Sequence, residues 1–131
     1  MSELNSRLLI SDDWTDYELL DSGDGRKRER FGRVVVNRPD PQALWSPRMA
    51  VTSWQADAVF SSREDEDKGR WQFPGAPPPD EWELAWRNVR LRARCASFRH
   101  MGVFPEHSVH WSWVVDQVRS AGRPVRLLDV F

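Results

Sequence analysis

Apolar and polar positions alternate in short runs along most of the chain, and the period changes only near the end. Residues 17–21 form a short apolar run that ends in Ser22-Gly23-Asp24-Gly25. Two glycines around an aspartate supply the backbone freedom of a tight turn. Residues 30–37 follow, with Val34, Val35 and Val36 suited to a pleated surface. These two runs predict a β-hairpin with residues 22–29 as its connection. Pro39 and Pro41 end the second strand, since neither donates a ladder hydrogen bond. Residues 54–60 begin with Trp54, Ala56 and Ala58 on one parity, then Val59 and Phe60 blur it, so a strand and a short helix both fit. Residues 61–69 carry Glu64, Asp65, Glu66 and Asp67 and read as a solvated loop. Residues 70–73 suit a short strand, and the four prolines in residues 74–80 make a stiff connection. Residues 82–86 and 88–98 predict a second hairpin, with Arg87-Asn88 near its turn.

After Phe104 the spacing becomes helical. Pro105 and Glu106 suit a first helical turn, the proline by its fixed φ and the glutamate by the helix dipole. Trp111, Val114, Val115 and Val118 recur three and four apart and give one apolar face. Gly122 and Pro124 stop the helix, which predicts residues 105–121 as its extent. Residues 125–131 then read as a mostly buried strand. The fold class expected is α+β. It comprises a β-rich region of antiparallel hairpins over residues 1–104, then a connecting helix and one further strand over residues 105–131.

Charge and composition narrow the function classes. The 131 residues hold 19 basic and 20 acidic side chains, a net charge of -1. That excludes a uniformly basic nucleic-acid coat and an acidic tail. The single cysteine, Cys95, excludes an internal disulfide framework and fits a reducing compartment. Residues 1–13 lack the basic start and long apolar stretch of a signal peptide, and no apolar run is long enough to span a bilayer. A cytoplasmic protein is the expectation. The chain holds 8 Trp, too many for one small domain to leave on its surface, so most are expected in the core.

The clearest candidate chemistry lies in residues 89–98. Val89, Leu91, Ala93 and Cys95 alternate with Arg90, Arg92 and Arg94. In a strand, residues two apart share a face, so three guanidiniums there could follow a phosphate backbone. Arg87 and Arg99 extend the set. The competing reading is a solvated face paired with acids such as those at residues 64–67. His107 and His110 share a helical face beside Glu106, but no third strong metal ligand is evident. Cys95 alternates with apolar residues and reads as a small core side chain, not a nucleophile. Gly23-Asp24-Gly25 sits in a hairpin, not between a strand and a helix, so it is no nucleotide cradle.

Three stretches carry a family resemblance. The first is Tyr17-Glu18-Leu19-Leu20-Asp21-Ser22-Gly23-Asp24-Gly25-Arg26-Lys27 with Glu29-Arg30-Phe31-Gly32. The second is Arg38-Pro39-Asp40-Pro41-Gln42-Ala43-Leu44-Trp45. The third is Phe98-Arg99-His100-Met101-Gly102-Val103-Phe104-Pro105-Glu106-His107, running on to Trp111 and Trp113. Together they resemble the N-terminal region of bacterial class I S-adenosylmethionine-dependent methyltransferases, relatives of the large-subunit rRNA cytosine-C5 methyltransferases. Two positions depart from the family, which usually has Gln at His107 and Thr at Met101. An imidazole can still donate a hydrogen bond, with shorter reach and a pH-dependent charge.

The resemblance implies a specific division of labour. Residues 125–131 would be the first strand of a Rossmann-like sheet, stopping short of the glycine-rich cofactor loop. Phe104, His107, Asp129 and Phe131 would face S-adenosylmethionine. Arg90, Arg92, Arg94 and Arg99 would face a substrate, with RNA as the expected partner. No catalytic residue and no metal ligand is assigned within the 131 residues, which alone are expected to be inactive and not to hold the cofactor. The rival is a stand-alone β-rich module that binds nucleic acid or an acidic partner through the arginine strand. The unpaired C-terminal strand would invite self-association.

Overall fold

The computed structural model describes residues 7–62 and 69–130. The fold is mixed α+β, with two sheets and one α-helix among these residues. The chain separates into two compact units. Residues 14–104 form one, and the described residues of 1–13 and 105–131 form the other.

Residues 14–104 contain a five-stranded sheet in sequential order: β1 (Tyr17–Gly23), β2 (Arg26–Phe31), β3 (Val34–Pro39), β4 (Ala58–Ser62) and β5 (Gly69–Gln72). The connection expected at residues 22–29 is therefore mostly a strand. Two tight turns replace the one long loop. Asp24 and Gly25 both have positive φ, as a type I′ turn requires. Gly32 at φ +61 opens the second turn. β2 escapes a hydropathy reading because Arg-Lys-Arg-Glu-Arg precedes its first apolar residue, Phe31. Its alternation is nonetheless real: Glu29 and Phe31 are buried, and their neighbours are less so.

The β3–β4 pair is parallel, with Val36 opposite Ala58. A long crossover, residues 40–57, makes that possible. It is tied back to the first hairpin. Asp24 N–H donates to Trp45 O and Gly25 N–H to Ala43 O, both at 2.8 Å. Arg26 braces the parallel joint, with Nε 2.6 Å from Asn37 Oδ1 and Nη2 2.8 Å from Phe60 O. The ambiguous run at residues 54–60 resolves as a strand that begins only at Ala58. Residues 64–67 of the expected acidic loop lie outside the described residues.

The second sheet pairs β6 (Trp82–Trp86) with β7 (Val89–Ala93), antiparallel and with Arg87-Asn88 at the turn. Trp82, Leu84, Trp86 and Ala93 are buried. The core joins both sheets: Phe31, Val34, Val36 and Ala58 pack with Trp82, Leu84, Ala93, Met101 and Val103. Trp82 Nε1 donates to Phe31 O at 2.9 Å, so a buried indole keeps its polar end satisfied. Of the tryptophans, Trp54, Trp82 and Trp86 are buried, whereas Trp45 and Trp113 stand exposed.

A buried ion pair runs across β2 and β3. Arg38 Nε lies 2.6 Å from Glu29 Oε2, and Arg38 Nη2 lies 3.0 Å from Glu29 Oε1. Glu29 is 1% exposed. Tyr17 Oη donates to Glu29 Oε1 at 3.0 Å, and Arg38 Nη1 donates to Arg99 O at 2.9 Å.

The other unit holds a 3-10 turn (Pro105–His107) that leads into α1 (Ser108–Ala121), capped by Gly122 at φ +60. Ser108 is fully buried at its start, with its Oγ 2.5 Å from Ser11 Oγ and donating to Asp13 Oδ1 at 3.0 Å. The expected strand at residues 125–131 is not formed over the described residues 125–130. A strand exists only through a ladder, and this run makes none. Val125, Leu127, Leu128 and Val130 are exposed. Their apolar composition marks a segment suited to burial, without itself creating a partner strand.

Gly23 tests the crossover. A Cβ there would collide with Pro47 N and Trp45 O, whereas one at Gly25 would meet open space. Gly23→Ala is expected to cost about 1–3 kcal/mol through overpacking, and Gly25→Ala only the positive-φ penalty of about 1–2 kcal/mol. Urea unfolding of both variants measures the difference. A Gly23 variant no less stable than the Gly25 variant would contradict the close approach of the crossover to Gly23.

Candidate functional site

Arg90, Arg92 and Arg94 extend from or just beyond β7 and are exposed, as the alternation predicts. Each faces a carboxylate. Arg92 Nη1 lies 3.1 Å from Glu81, Arg94 Nη1 lies 3.8 Å from the same glutamate, and Arg90 Nε lies 3.6 Å from Glu83. The pairs run diagonally across the hairpin: Glu83 is directly opposite Arg92 in the register yet lies nearest Arg90, and Glu81 just precedes β6. The partners are thus acids of the neighbouring strand and its approach. Exposed pairs of this kind are worth about 0–1 kcal/mol each. Arg99 is half-buried, and its carbonyl is held by Arg38.

The segment expected to face a cofactor divides by environment. His100 and Phe104 form a ring contact at 5.9 Å. Met101 is 1% exposed and packs in the core. Met101 is thus a packing residue of the core. His107 contacts His110 and Trp111, with ring centroids 6.3 and 6.5 Å away. No group of three or more metal-ligating side chains occurs among the described residues. Asp129 lies in the exposed run after the helix, and Phe131 lies outside the described residues.

The residues present do not fit an S-adenosylmethionine cradle. Such a cradle needs a strand leading through a glycine-rich turn into a helix. Among the described residues, Gly23, Gly25 and Gly32 belong to hairpins, Gly69 opens β5, Gly75 lies between β5 and β6, and Gly122 caps a helix. Only Gly102 lies between β7 and the helix, in a segment otherwise without glycine.

A different feature is built into the first sheet. Leu19, Asp21, Ser22, Trp45, Ser46 and Arg48 line an open concavity of about 240 Å³. Asp21 organises it from below. Its carboxylate accepts from the N–H groups of Ser22, Arg48 and Met49 at 2.9, 3.0 and 3.0 Å, and from Trp54 Nε1 at 3.2 Å. Burial alone would raise the pKa of Asp21, but these four donors outweigh it and hold the group below its ordinary value. Trp45 is 57% exposed, yet its Nε1 donates to Ser22 O at 2.9 Å. In the sequence, Leu19, Asp21 and Ser22 read as a strand run and its turn, Trp45 entered through the family resemblance, and Ser46 and Arg48 carried no reading. The usable signal was Trp45 among Pro41, Pro47 and other turn formers, where no periodic element could bury it.

Cys95 is half-buried against the core, and burial pushes its thiol up to about 11. A protonated thiol at neutral pH is a poor nucleophile.

No protein-family model and no curated protein matches the chain. A solved structure does: the SAM-dependent methyltransferase from Agrobacterium tumefaciens, at 42% sequence identity and a TM-score of 0.77. The match covers 86% of this chain and 36% of that protein, so the chain spans about a third of its neighbour's length. No helix among the described residues is long and apolar enough to cross a membrane.

Two titrations check this chemistry. Because the Cys95 pKa is raised in the fold, its share of stability is full below 9.0 and is lost as pH rises to about 11. Wild type is expected to lose more stability over that window than Cys95→Ala; identical profiles would contradict the burial. Asp21 has the opposite sign. Its lowered pKa means that stability is lost as pH falls through and below 3.8. In acid denaturation Asp21→Asn should start less stable and show a shallower loss.

Proposed function

We propose that the chain is the N-terminal part of a class I S-adenosylmethionine-dependent methyltransferase. The observation that carries this reading is the 42% identity to the Agrobacterium tumefaciens methyltransferase, sustained over 86% of the chain with a TM-score of 0.77. Identity at that level over a β-rich region with a buried ion pair is difficult to reach by fold convergence alone. In this reading residues 14–104 present the substrate, and the donor is bound by chain outside the described residues. The acceptor is an RNA base, in keeping with the resemblance to rRNA cytosine-C5 enzymes, and the setting is the cytoplasm.

Catalysis of this kind relies on holding donor and acceptor in line. A β-rich region contributes by orienting the acceptor. Arg90, Arg92, Arg94 and Arg99 are the residues proposed to lie near its phosphates. Their support is the shared exposed face of the first three; Glu81 and Glu83 already offset part of that charge. Phe104, His107, Asp129 and Phe131 are proposed to approach the donor only when a complete cofactor domain is present. The exposed Leu127, Leu128 and Val130 would then be covered; in the isolated chain they favour self-association.

Two assays test the reading. The 131-residue chain with radiolabelled donor and rRNA is expected to give no methyl transfer; turnover above blank would overturn the inactivity. A chimera that carries this chain in place of the matching part of the Agrobacterium tumefaciens protein tests the family. Donor at a hundred times its dissociation constant should stabilise that chimera by about 2.7 kcal/mol. A folded chimera that gains nothing from donor would contradict the proposal.

A further inference from the structure

We propose that the concavity beside Trp45 is a nucleotide site, with the base stacked on the indole and the phosphate held by Arg48. It goes beyond methyl transfer and needs neither donor nor cofactor domain; it shares with the proposed function only the expectation of RNA.

Three observations converge on this ligand chemistry. First, Trp45 is exposed but not loose. Its Nε1 is fixed to Ser22 O at 2.9 Å, and its carbonyl accepts from Asp24 N–H at 2.8 Å. Asp21 pins the following turn through the N–H groups of Arg48 and Met49. An aromatic ring held in place and open to solvent is a pre-organised stacking surface, which loses little entropy on binding.

Second, the charge at the site is uneven. Arg48 is exposed, and among the described residues it makes no ion pair. Arg30, Arg38, Arg90, Arg92 and Arg94 all face carboxylates. The acid lining the concavity, Asp21, has its oxygens occupied by four N–H donors. With the Asp21 oxygens bound to N–H donors, the exposed Arg48 guanidinium is the charged group left to meet a ligand's phosphate.

Third, the walls suit a flat ring with polar edges. Leu19 and Trp45 are apolar, while Ser46 offers a hydroxyl and the Ser22 hydroxyl, which accepts from Trp45 Nε1 at 3.2 Å, keeps its proton to donate. The volume of about 240 Å³ falls just under the drug-sized range, which starts near about 300 Å³, and fits one base with part of its sugar. Leu44 and Met49 stand exposed on either side in sequence, and give a neighbouring base an apolar surface to rest on.

The test is fluorescence anisotropy of a short labelled oligouridylate titrated with the 131-residue chain. Trp45→Ala should weaken binding about tenfold, and Trp45→Phe should restore most of it. Trp45→Ala also removes the bond to Ser22, so Arg48→Gln serves as the second variant. It keeps the backbone N–H that Asp21 uses. It should weaken binding and lower the dependence of log K on log salt by about 0.7. Uridine monophosphate should compete, whereas ribose 5-phosphate should not. Competition by the monomer as effective as by unlabelled oligomer would identify a free nucleotide as the ligand, and much stronger competition by the oligomer would identify an RNA strand; both uphold the site. Unchanged affinity in folded Trp45→Ala and Arg48→Gln would overturn it, as would no saturable binding of the labelled oligouridylate. Loss confined to the triple variant of Arg90, Arg92 and Arg94 would overturn it in favour of the arginine strand.

Discussion

A single buried ion pair, Glu29 with Arg38, ties together the parts of this fold that sequence distance keeps apart. The two side chains meet in two parallel hydrogen bonds across β2 and β3. Tyr17 brings β1 into the same network, and the Arg99 carbonyl brings in the segment beyond β7. The Arg38 guanidinium also lies over the Phe31 ring, 5.6 Å from its centroid. Such a pair is expensive to desolvate and adds little net stability over an apolar pair of the same shape. Its value lies in what it forbids. A one-residue slip of β2 would turn Glu29 outward and leave Arg38 buried without its acid.

That constraint explains how a strand with almost no apolar residues finds its place. β2 reads as a charged linker because hydropathy registers arginine, lysine and glutamate alike. Only the alternation of burial separates Glu29 and Phe31 from their neighbours, and burial of a glutamate is invisible until its arginine is located. The second hairpin was legible by contrast, because the large apolar residues Trp82, Leu84 and Trp86 share one parity, with Glu83 and the small Ala85 between them. The helix over residues 108–121 was legible through its start and stop signals as much as through its apolar face. Residues 125–130 have the composition of a strand and form none, because composition cannot supply a ladder partner.

The candidate surfaces divide along the same line. The arginines are exposed, but their acidic partners are Glu83 of β6 and Glu81 just before it, which a linear pattern does not reveal until both strands are paired. The Trp45 concavity depends on Asp21, one buried carboxylate that gathers donors from residues 22, 48, 49 and 54. Its members are distant in sequence and none is unusual alone. The likeness to the Agrobacterium tumefaciens methyltransferase covers about a third of that protein's length. Among the described residues, the first sheet and its crossover hold the Trp45 indole in place.

The most direct test of the central constraint is a double-mutant cycle on Glu29 and Arg38, using Glu29→Gln, Arg38→Met and the pair, read by urea unfolding. Each single variant leaves a buried polar or charged group without its partner and should lose about 3–5 kcal/mol. The double variant should recover much of that loss, giving a coupling energy of about 2–3 kcal/mol. Additive losses, with coupling below about 0.5 kcal/mol, would contradict the account, because the two groups would then be acting independently in holding the strands together.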